Sequence, residues 1–227
     1  DYAVTGVQTC ALPICAQFAA YAVPVNPSAT VVEIGAGRGT KSLLMAAEAQ
    51  RQGGSAKIIA LDLHAFKLES LARDAAALGL SGITTLAEDA LSGDVSIADE
   101  SADAVLVDAP CSGLGTLRRH PDRRWRAKPE ELEVLATLGG KMLETAARLV
   151  KPGGFVVYST CTIASRENRD VVEAFLASST GSGFTTDSLA GDVPEEWRRF
   201  VSPEGWFQSV PEPGGPDGHF IARLVRA

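Results

Sequence analysis

Two of the four cysteines occur in short polar runs whose residue types could support covalent chemistry. Cys111 follows Asp108 in the run DAPCSG, and Cys161 lies in the run STCT. A deprotonated cysteine is a strong nucleophile that can form a covalent intermediate with an electrophilic carbon. The ordinary alternative is an inert, small apolar side chain, as most isolated cysteines are. Two such cysteines beside one cleft favour a nucleophilic role over an inert one. The residues alone do not show which of the two is the nucleophile.

Apolar, β-branched segments predict the strands that would position these thiols. Five such segments lie at residues 30–34, 57–61, 83–87, 104–107 and 154–158. They alternate with helical patterns at 40–51, in the stretch after the second strand that ends at Leu80, and at 129–150. A further helix is predicted at 165–176, and two strands at 206–210 and 219–225 predict a C-terminal antiparallel hairpin that pairs onto the sheet edge. The pattern predicts an α/β fold with a doubly wound, mostly parallel, Rossmann-like sheet. Ligands of such sheets bind beyond the carboxyl ends of the strands.

A glycine-rich loop after the first predicted strand indicates a nucleotide-like cofactor. Its pattern is Glu33-x-Gly35-x-Gly37-x-Gly39, and glycines let a ligand approach the backbone closely. Acidic residues follow the next strands, and their carboxylates could accept hydrogen bonds from ribose hydroxyls and from an adenine amine. Each acid alone is more often a solvated loop carboxylate, and a nicotinamide dinucleotide is the rival ligand. The predicted cofactor-binding residues are Gly35, Ala36, Gly37, Arg38, Gly39, Thr40, Lys41, Asp62, Asp89 and Asp108.

Composition limits the remaining function classes. The 227 residues are 45% hydrophobic, which suits one well-cored domain. The net charge of −7 argues against nucleic-acid binding by bulk electrostatics, but residues 118–128 form a local basic segment. The spacings of the cysteines and histidines predict neither a disulfide scaffold nor a metal site. The sequence contains no run of about 18 apolar residues, so we expect no membrane span. We therefore expect a cytoplasmic monomer without a metal.

The first 15 residues differ in character from the rest of the chain. The run VTGVQTCALPI resembles a translated sequencing adapter, and it has neither a basic start nor helix caps. We predict a non-native leader over residues 1–15 and a catalytic domain over residues 16–227.

Longer motifs carry a resemblance to a known family. The runs VLVDAPCSGLGTLRRHPDRRWR and LVKPGGFVVYSTCTIASREN resemble the two cysteine motifs of the NOL1/NOP2/Sun family of RNA (cytosine-5) methyltransferases, most closely the bacterial 16S rRNA enzymes. The run PDGHFIARL is similar to the family's closing motif. The family's usual CAAPGGKT loop is here GAGRGTKS, in which Gly39 and Lys41 are retained while Arg38 replaces a proline and Thr40 a glycine.

The resemblance implies a mechanism with S-adenosylmethionine as the cofactor. Cys161 would be the nucleophile that adds to carbon 6 of a cytosine, Cys111 would assist product release, and Asp108 would hydrogen-bond the ring. A helix beginning just after Cys161 would lower the thiol pKa. The resemblance implies ribosomal RNA as the partner, and the arginines predicted to contact its phosphates are Arg118, Arg119, Arg123, Arg124 and Arg126. Because family members of this type carry an N-terminal RNA-binding region that this sequence does not include, the alternative is an impaired fragment that only binds cofactor or RNA.

Overall fold

The computed structural model describes residues 14–212 and 214–227. The predicted leader over residues 1–15 therefore lies outside the described residues, apart from Ile14 and Cys15. These two begin the first helix, α1 (Ile14–Tyr21). Cys15 is fully buried, and its thiol donates a hydrogen bond to the backbone oxygen of Asp217 at 3.6 Å. The first helix is thus packed against the closing segment of the chain.

Within the described residues, eight strands form one sheet, in the order β3-β2-β1-β4-β5-β8-β6, with β7 paired to β8. The first five strands run parallel, and β8 runs antiparallel to β5, β6 and β7. The predicted doubly wound, mostly parallel sheet is therefore confirmed. The strands are β1 (Thr30–Ile34), β2 (Lys57–Leu61), β3 (Ile83–Leu86), β4 (Ala102–Asp108), β5 (Val150–Thr160), β6 (Phe184–Asp187), β7 (Phe207–Ser209) and β8 (His219–Arg226).

Helices cover both faces of the sheet because the central strands are apolar on both sides. The further helices are α2 (Thr40–Arg51), α3 (Ala65–Ala77), α4 (Arg123–Arg126), α5 (Pro129–Leu149) and α6 (Arg169–Ala177). Apolar residues of α5 and α6 pack on one face, around Val105 and Val156. Residues of α1 and α2 pack on the other, around Val31 and Leu106. Burial of these side chains supplies the main stabilisation of the fold. No helix within the described ranges is long and apolar enough to span a bilayer.

The C-terminal region is more elaborate than the predicted hairpin. Strands β7 and β8 do pair as an antiparallel hairpin, but β8 lies inside the sheet, between β5 and β6. The four-residue strand β6 was not predicted, because it pairs with the distant β8 and follows a Gly- and Ser-rich stretch. The helix predicted from Ser165 is interrupted at Asn168, so a single 3-10 turn (Ser165–Glu167) precedes α6.

Candidate active site

The glycine loop joins β1 to α2 and packs tightly on the end of β4. Gly35, Gly37 and Gly39 all have positive φ, a conformation that side chains disfavour. A Cβ at Gly35 would lie 2.5 Å from the Asp108 backbone oxygen, so only glycine fits there. At Gly37 the nearest atom to a Cβ would be 4.0 Å away, so this backbone faces open space. The loop can therefore admit a ligand at Gly37 while it stays anchored at Gly35.

The predicted cofactor residues at the ends of β2 and β3 have different surroundings. Asp62 is buried, and its two carboxylate oxygens accept hydrogen bonds from the Gly37 N–H at 2.8 Å and the His64 N–H at 2.9 Å. Asp89 is exposed and accepts a hydrogen bond from the Leu91 N–H of its own loop at 2.9 Å. Asp62 thus contacts the glycine loop directly, whereas these bonds place Asp89 on a surface turn.

Glu33 is a buried acid in the loop motif that was not included among the predicted site residues. Its side chain is fully buried near the end of β1 and accepts a short hydrogen bond from the Ser42 hydroxyl. The other carboxylate oxygen, Oε1, has no hydrogen-bond partner among the described residues. Burial raises the pKa of Glu33 to about 7, against the opposing effects of Lys41 and Ser42. An acid inside the apolar run TVVEI was the sequence signal for this residue.

Lys41 and Asp108 join the glycine loop to the first cysteine motif. The Lys41 ammonium donates to Asp108 Oδ2 at 2.6 Å, and the lysine side chain is only 10% exposed. Burial alone would lower the pKa of Lys41, but the carboxylates of Asp108 and Glu33 raise it above its ordinary value. The lysine therefore remains a cation beside Asp108, at the carboxyl ends of the strands.

The two candidate nucleophiles contact each other. The Sγ atoms of Cys111 and Cys161 lie 3.2 Å apart, and the Cys161 N–H donates to Cys111 Sγ at 3.3 Å. The hydrogen bond between the thiols, together with burial, raises the pKa of Cys111 well above its ordinary value. The same hydrogen bond lowers the pKa of Cys161, with further help from Arg123 and Lys41. Cys161 is thus the thiol that ionises first.

The predicted cause of the lowered Cys161 pKa was different. The sequence suggested the dipole of a helix starting at Ser165, but the α-helix begins only at Arg169. The thiol of Cys111 and the two nearby cations carry the effect instead. Neither the contact nor the cations could be read from a pattern of local spacing.

A cleft with a volume of about 350 Å³ opens beside Cys111. This is within the usual size range of small-molecule sites. Its polar lining includes Ser112, His120, Arg123, Lys128 and Glu131. The Arg123 guanidinium also donates to the Ser112 backbone oxygen at 3.1 Å, which holds the arginine next to the cysteine loop.

The predicted RNA-binding arginines have distinct positions. Arg118 and Arg119 both bind Asp217, at 3.1 and 2.7 Å, and that carboxylate is only 4% exposed. Arg124 is exposed to solvent, while Arg126 lies in α4 with Arg123. Arg123 therefore lies at the cleft, whereas Arg118 and Arg119 bind a buried carboxylate of the same chain.

Trp125, in the middle of the basic segment, was not singled out from the sequence. Its side chain is 84% exposed, the most exposed of the large apolar side chains among the described residues. The signal in the sequence was a tryptophan within the run RRWR. An exposed aromatic ring among cations is a common platform for nucleic-acid bases.

The closing motif contributes a third residue that sequence reasoning missed. His219 is buried, and its Nε2 lies 2.9 Å from the hydroxyl of Ser159, two residues before Cys161. Burial lowers the pKa of His219 to about 3, and the positive charge of Lys41 acts in the same direction. A neutral histidine therefore supports the end of β5. Within residues 14–212 and 214–227, no group of three or more His, Cys, Asp or Glu side chains is arranged to hold a metal ion.

Comparisons with known proteins match this chain to one family. Residues 20–225 match the family described as "16S rRNA methyltransferase RsmB/F". The chain is 39% identical over 196 residues to the probable ribosomal RNA small subunit methyltransferase B of Bacillus subtilis, covering 86% of this chain and 42% of that protein. It is 31% identical to the small subunit methyltransferase F of Serratia proteamaculans, covering 94% of this chain and 42% of that protein.

A solved structure supports the fold. The methyltransferase homologue protein from Pyrococcus horikoshii superimposes with a TM-score of 0.76 at 23% identity, covering 95% of this chain and 67% of that one. The chain spans less than half the length of the curated relatives named above.

Proposed function

The chain belongs to the 16S rRNA methyltransferase RsmB/F family, and from this premise we propose that it methylates carbon 5 of a cytosine in 16S ribosomal RNA through a covalent Cys161 adduct. The observation that carries the proposal is the 3.2 Å contact between Cys111 and Cys161, which favours ionisation of Cys161. A nucleophilic thiolate is what this reaction requires, because carbon 5 of cytosine is too weak a nucleophile to take a methyl group unaided.

S-adenosylmethionine is the cofactor of this family, and the residues at the glycine loop fit it. The unpaired Glu33 Oε1 suits the cofactor's ammonium group, and the open backbone at Gly37 gives it room. Asp62, held against the same loop, would accept the ribose hydroxyls, and Asp89 would contact the adenine amine. The bound cofactor would supply an electrophilic methyl group on its sulfonium.

In the proposed first step the Cys161 thiolate forms a bond to carbon 6 of the cytosine. The electron pair of the ring's 5,6 double bond moves so that carbon 5 becomes nucleophilic. Carbon 5 would then take the methyl group as the bond between that methyl and the sulfonium sulfur breaks, which would leave a neutral thioether. Asp108 would accept a hydrogen bond from the exocyclic amine, which lies beside ring nitrogen 3, while Lys41 adds a positive charge 2.6 Å from that carboxylate. Fixed charges of this kind stabilise charge that develops in the ring.

The second step returns the enzyme to its starting state. A base removes the proton from carbon 5, the 5,6 double bond re-forms, and the bond between Cys161 and carbon 6 breaks. The leaving sulfur departs as a thiolate, and the Cys111 S–H is placed to donate a hydrogen bond to it. We therefore assign Cys111 to product release, because its raised pKa keeps it a thiol and a donor.

The basic segment would hold the RNA while the target base leaves its stack. Arg123 and Lys128 at the cleft, with the exposed Arg124, supply positive charge for phosphate oxygens. Arg118, Arg119 and Arg126 of the same segment belong to the proposed contact surface. Extruding a base costs a few kcal/mol, so backbone and stacking contacts must offset that cost. Arg123, which contacts the Cys111 loop, links phosphate binding to the site of reaction.

The test uses 16S ribosomal RNA transcribed with 5-fluorocytosine, together with S-adenosylmethionine. Fluorine cannot leave carbon 5 as a proton does, so the attacking cysteine stays bonded to the RNA and the adduct survives denaturing electrophoresis. We expect the adduct with the unaltered chain and with Cys111→Ala, and none with Cys161→Ala. Cys15→Ala, which alters a buried thiol packed against the closing segment, is the matched control.

Other outcomes would overturn the proposal in defined ways. Loss of the adduct only in Cys111→Ala would exchange the roles of the two cysteines. An adduct in none of the samples, with cofactor and RNA binding intact, would leave a fragment that binds without methylating.

A further inference from the structure

The two cysteine motifs are fastened together by residues of the turn that follows Cys161. Glu167 is 1% exposed and lies at the end of the 3-10 turn before α6. Its Oε1 accepts a hydrogen bond from the backbone N–H of Ser112, and its Oε2 accepts one from the Ser112 hydroxyl, both at 2.6 Å. Ser112 directly follows Cys111, so one carboxylate holds the first cysteine loop by two bonds.

The hydroxyl of Thr162 extends this connection to the second cysteine. Thr162 Oγ1 lies 2.9 Å from Ser112 Oγ. Because the single Ser112 hydroxyl proton is donated to Glu167, Thr162 is the donor in this contact. The chain Thr162 to Ser112 to Glu167 therefore runs between the residues that directly follow Cys161 and Cys111.

Asn168 fixes the second cysteine loop from both sides. Its Oδ1 accepts a hydrogen bond from the Thr160 hydroxyl at 2.5 Å, and its Nδ2 donates to the Thr162 backbone oxygen at 3.0 Å. Asn168 is 1% exposed. The residues immediately before and after Cys161 are thus tied to one buried amide.

Buried groups whose hydrogen bonds are all made hold a single geometry, because a donor or acceptor that loses its partner there has no water to replace it. We propose that Glu167 is a positioning residue that sets the separation of Cys111 and Cys161, with Asn168 holding the loop that carries Cys161. Neither side chain is assigned any contact with RNA or cofactor. The role in catalysis rests on the proposed function, but the effect on the thiols does not.

The expected consequence concerns the thiolate fraction of Cys161. The Cys111 thiol stabilises the Cys161 thiolate only at hydrogen-bond distance, so loosening the Ser112 loop removes that stabilisation. Each unit by which the pKa of Cys161 rises lowers its thiolate fraction about tenfold at pH values below the pKa. Cys111, released from the same contact, becomes easier to ionise.

The experiment measures the rate of iodoacetamide alkylation at each cysteine against pH, with the modified peptides separated by mass spectrometry. The variants are Glu167→Ala, which removes both bonds to Ser112, and Ser112→Ala, which removes only the hydroxyl bridge. We expect Cys161 to react about tenfold more slowly at pH 7 in Glu167→Ala and about threefold more slowly in Ser112→Ala. Glu167→Gln keeps one acceptor and should restore part of the rate.

Asp170→Asn is the matched control, because Asp170 accepts a hydrogen bond from Ser165 in the same segment but is exposed and bonds to neither cysteine loop. A Cys161 profile unchanged from the unaltered chain in both Glu167→Ala and Ser112→Ala would overturn the proposal. If Glu167→Ala does not fold, Ser112→Ala decides alone.

The assay contains neither RNA nor cofactor. A shifted alkylation profile in a chain that forms no 5-fluorocytosine adduct would therefore support the positioning role while the methylation function fails.

Discussion

Cys111 and Cys161 lie with their sulfur atoms 3.2 Å apart, although 50 residues separate them in the chain. The pairing of β4 with β5 produces this contact, because Asp108 is in register with Ser159 and both strands end at the same edge. Ionisation of one thiol disfavours ionisation of the other at this distance, because two adjacent negative charges repel. The pair therefore titrates as a unit in which Cys161 ionises first and Cys111 remains the donor.

Replacing the donor should make the nucleophile less acidic. In Cys111→Ala the hydrogen bond that lowers the pKa of Cys161 is lost, so we expect alkylation of Cys161 at pH 7 to slow by about threefold to tenfold. The measurement is the pH profile of iodoacetamide labelling at the Cys161 peptide, with Cys15→Ala as the control. A profile that does not move would show that burial and the nearby cations set the pKa without Cys111.

The main features of the site's location could be predicted from the sequence. The β-branched runs before Asp62, Asp108 and Cys161 each form a strand of the sheet. Parallel strands end at one edge, so the two cysteines and the glycine loop were correctly expected beside one another.

What could not be predicted depends on contacts between residues far apart in the chain. Ser112 and Glu167 are separated by 55 residues, and Arg118 and Asp217 by 99. No local period marks such partners, because each is specified only when the strands have paired. The position of β8 inside the sheet was missed for the same reason.

Glu33 should make the stability of the protein depend on pH. Its pKa is about 7 in the folded chain, against an ordinary value of 4.5, so the folded state binds more protons between these values. Its contribution is fully present below about pH 4.5 and is lost as the pH rises to about 7. In Glu33→Gln nothing titrates at this position, so the variant should gain roughly 3 kcal/mol relative to the unaltered chain between pH 4 and pH 8.

Urea denaturation of both proteins, followed by circular dichroism across this range, measures that difference. All other titrating groups are common to the two proteins, so their effects cancel to first order. A difference that stays constant with pH would show that Glu33 is ionised in the folded chain throughout.

Arg119 should contribute to stability as well as to RNA binding, whereas Arg124 should contribute to RNA binding alone. Arg119→Ala leaves the buried Asp217 carboxylate without its 2.7 Å partner, and we expect a loss of roughly 1–3 kcal/mol in the free energy of unfolding. Arg124→Ala alters an exposed side chain and should change stability by less than about 0.5 kcal/mol. It should instead weaken RNA binding and reduce the salt dependence of the affinity by about one phosphate contact.

Thermal denaturation and RNA titrations at several salt concentrations make this comparison. Equal losses of stability in both variants would contradict the division of roles. A normal salt dependence in Arg124→Ala would remove that arginine from the proposed RNA surface.

Trp125 should act as a stacking platform beside the cleft. Its ring is 84% exposed among cations, and a base unstacked from its strand needs a new apolar surface to lie on. Trp125→Ala should cost about 1–3 kcal/mol of RNA binding, whereas Trp125→Phe should retain most of it. Because the ring packs so little against the protein, the melting temperature should hardly change. Binding of RNA should also protect Trp125 from acrylamide quenching. The measurement uses Trp197→Phe as the background, because Trp197 is only partly buried whereas Trp206 is 4% exposed and contributes little to the quenched signal. Unchanged affinity in Trp125→Ala, with quenching unaffected by RNA, would place the bound strand on another part of the surface.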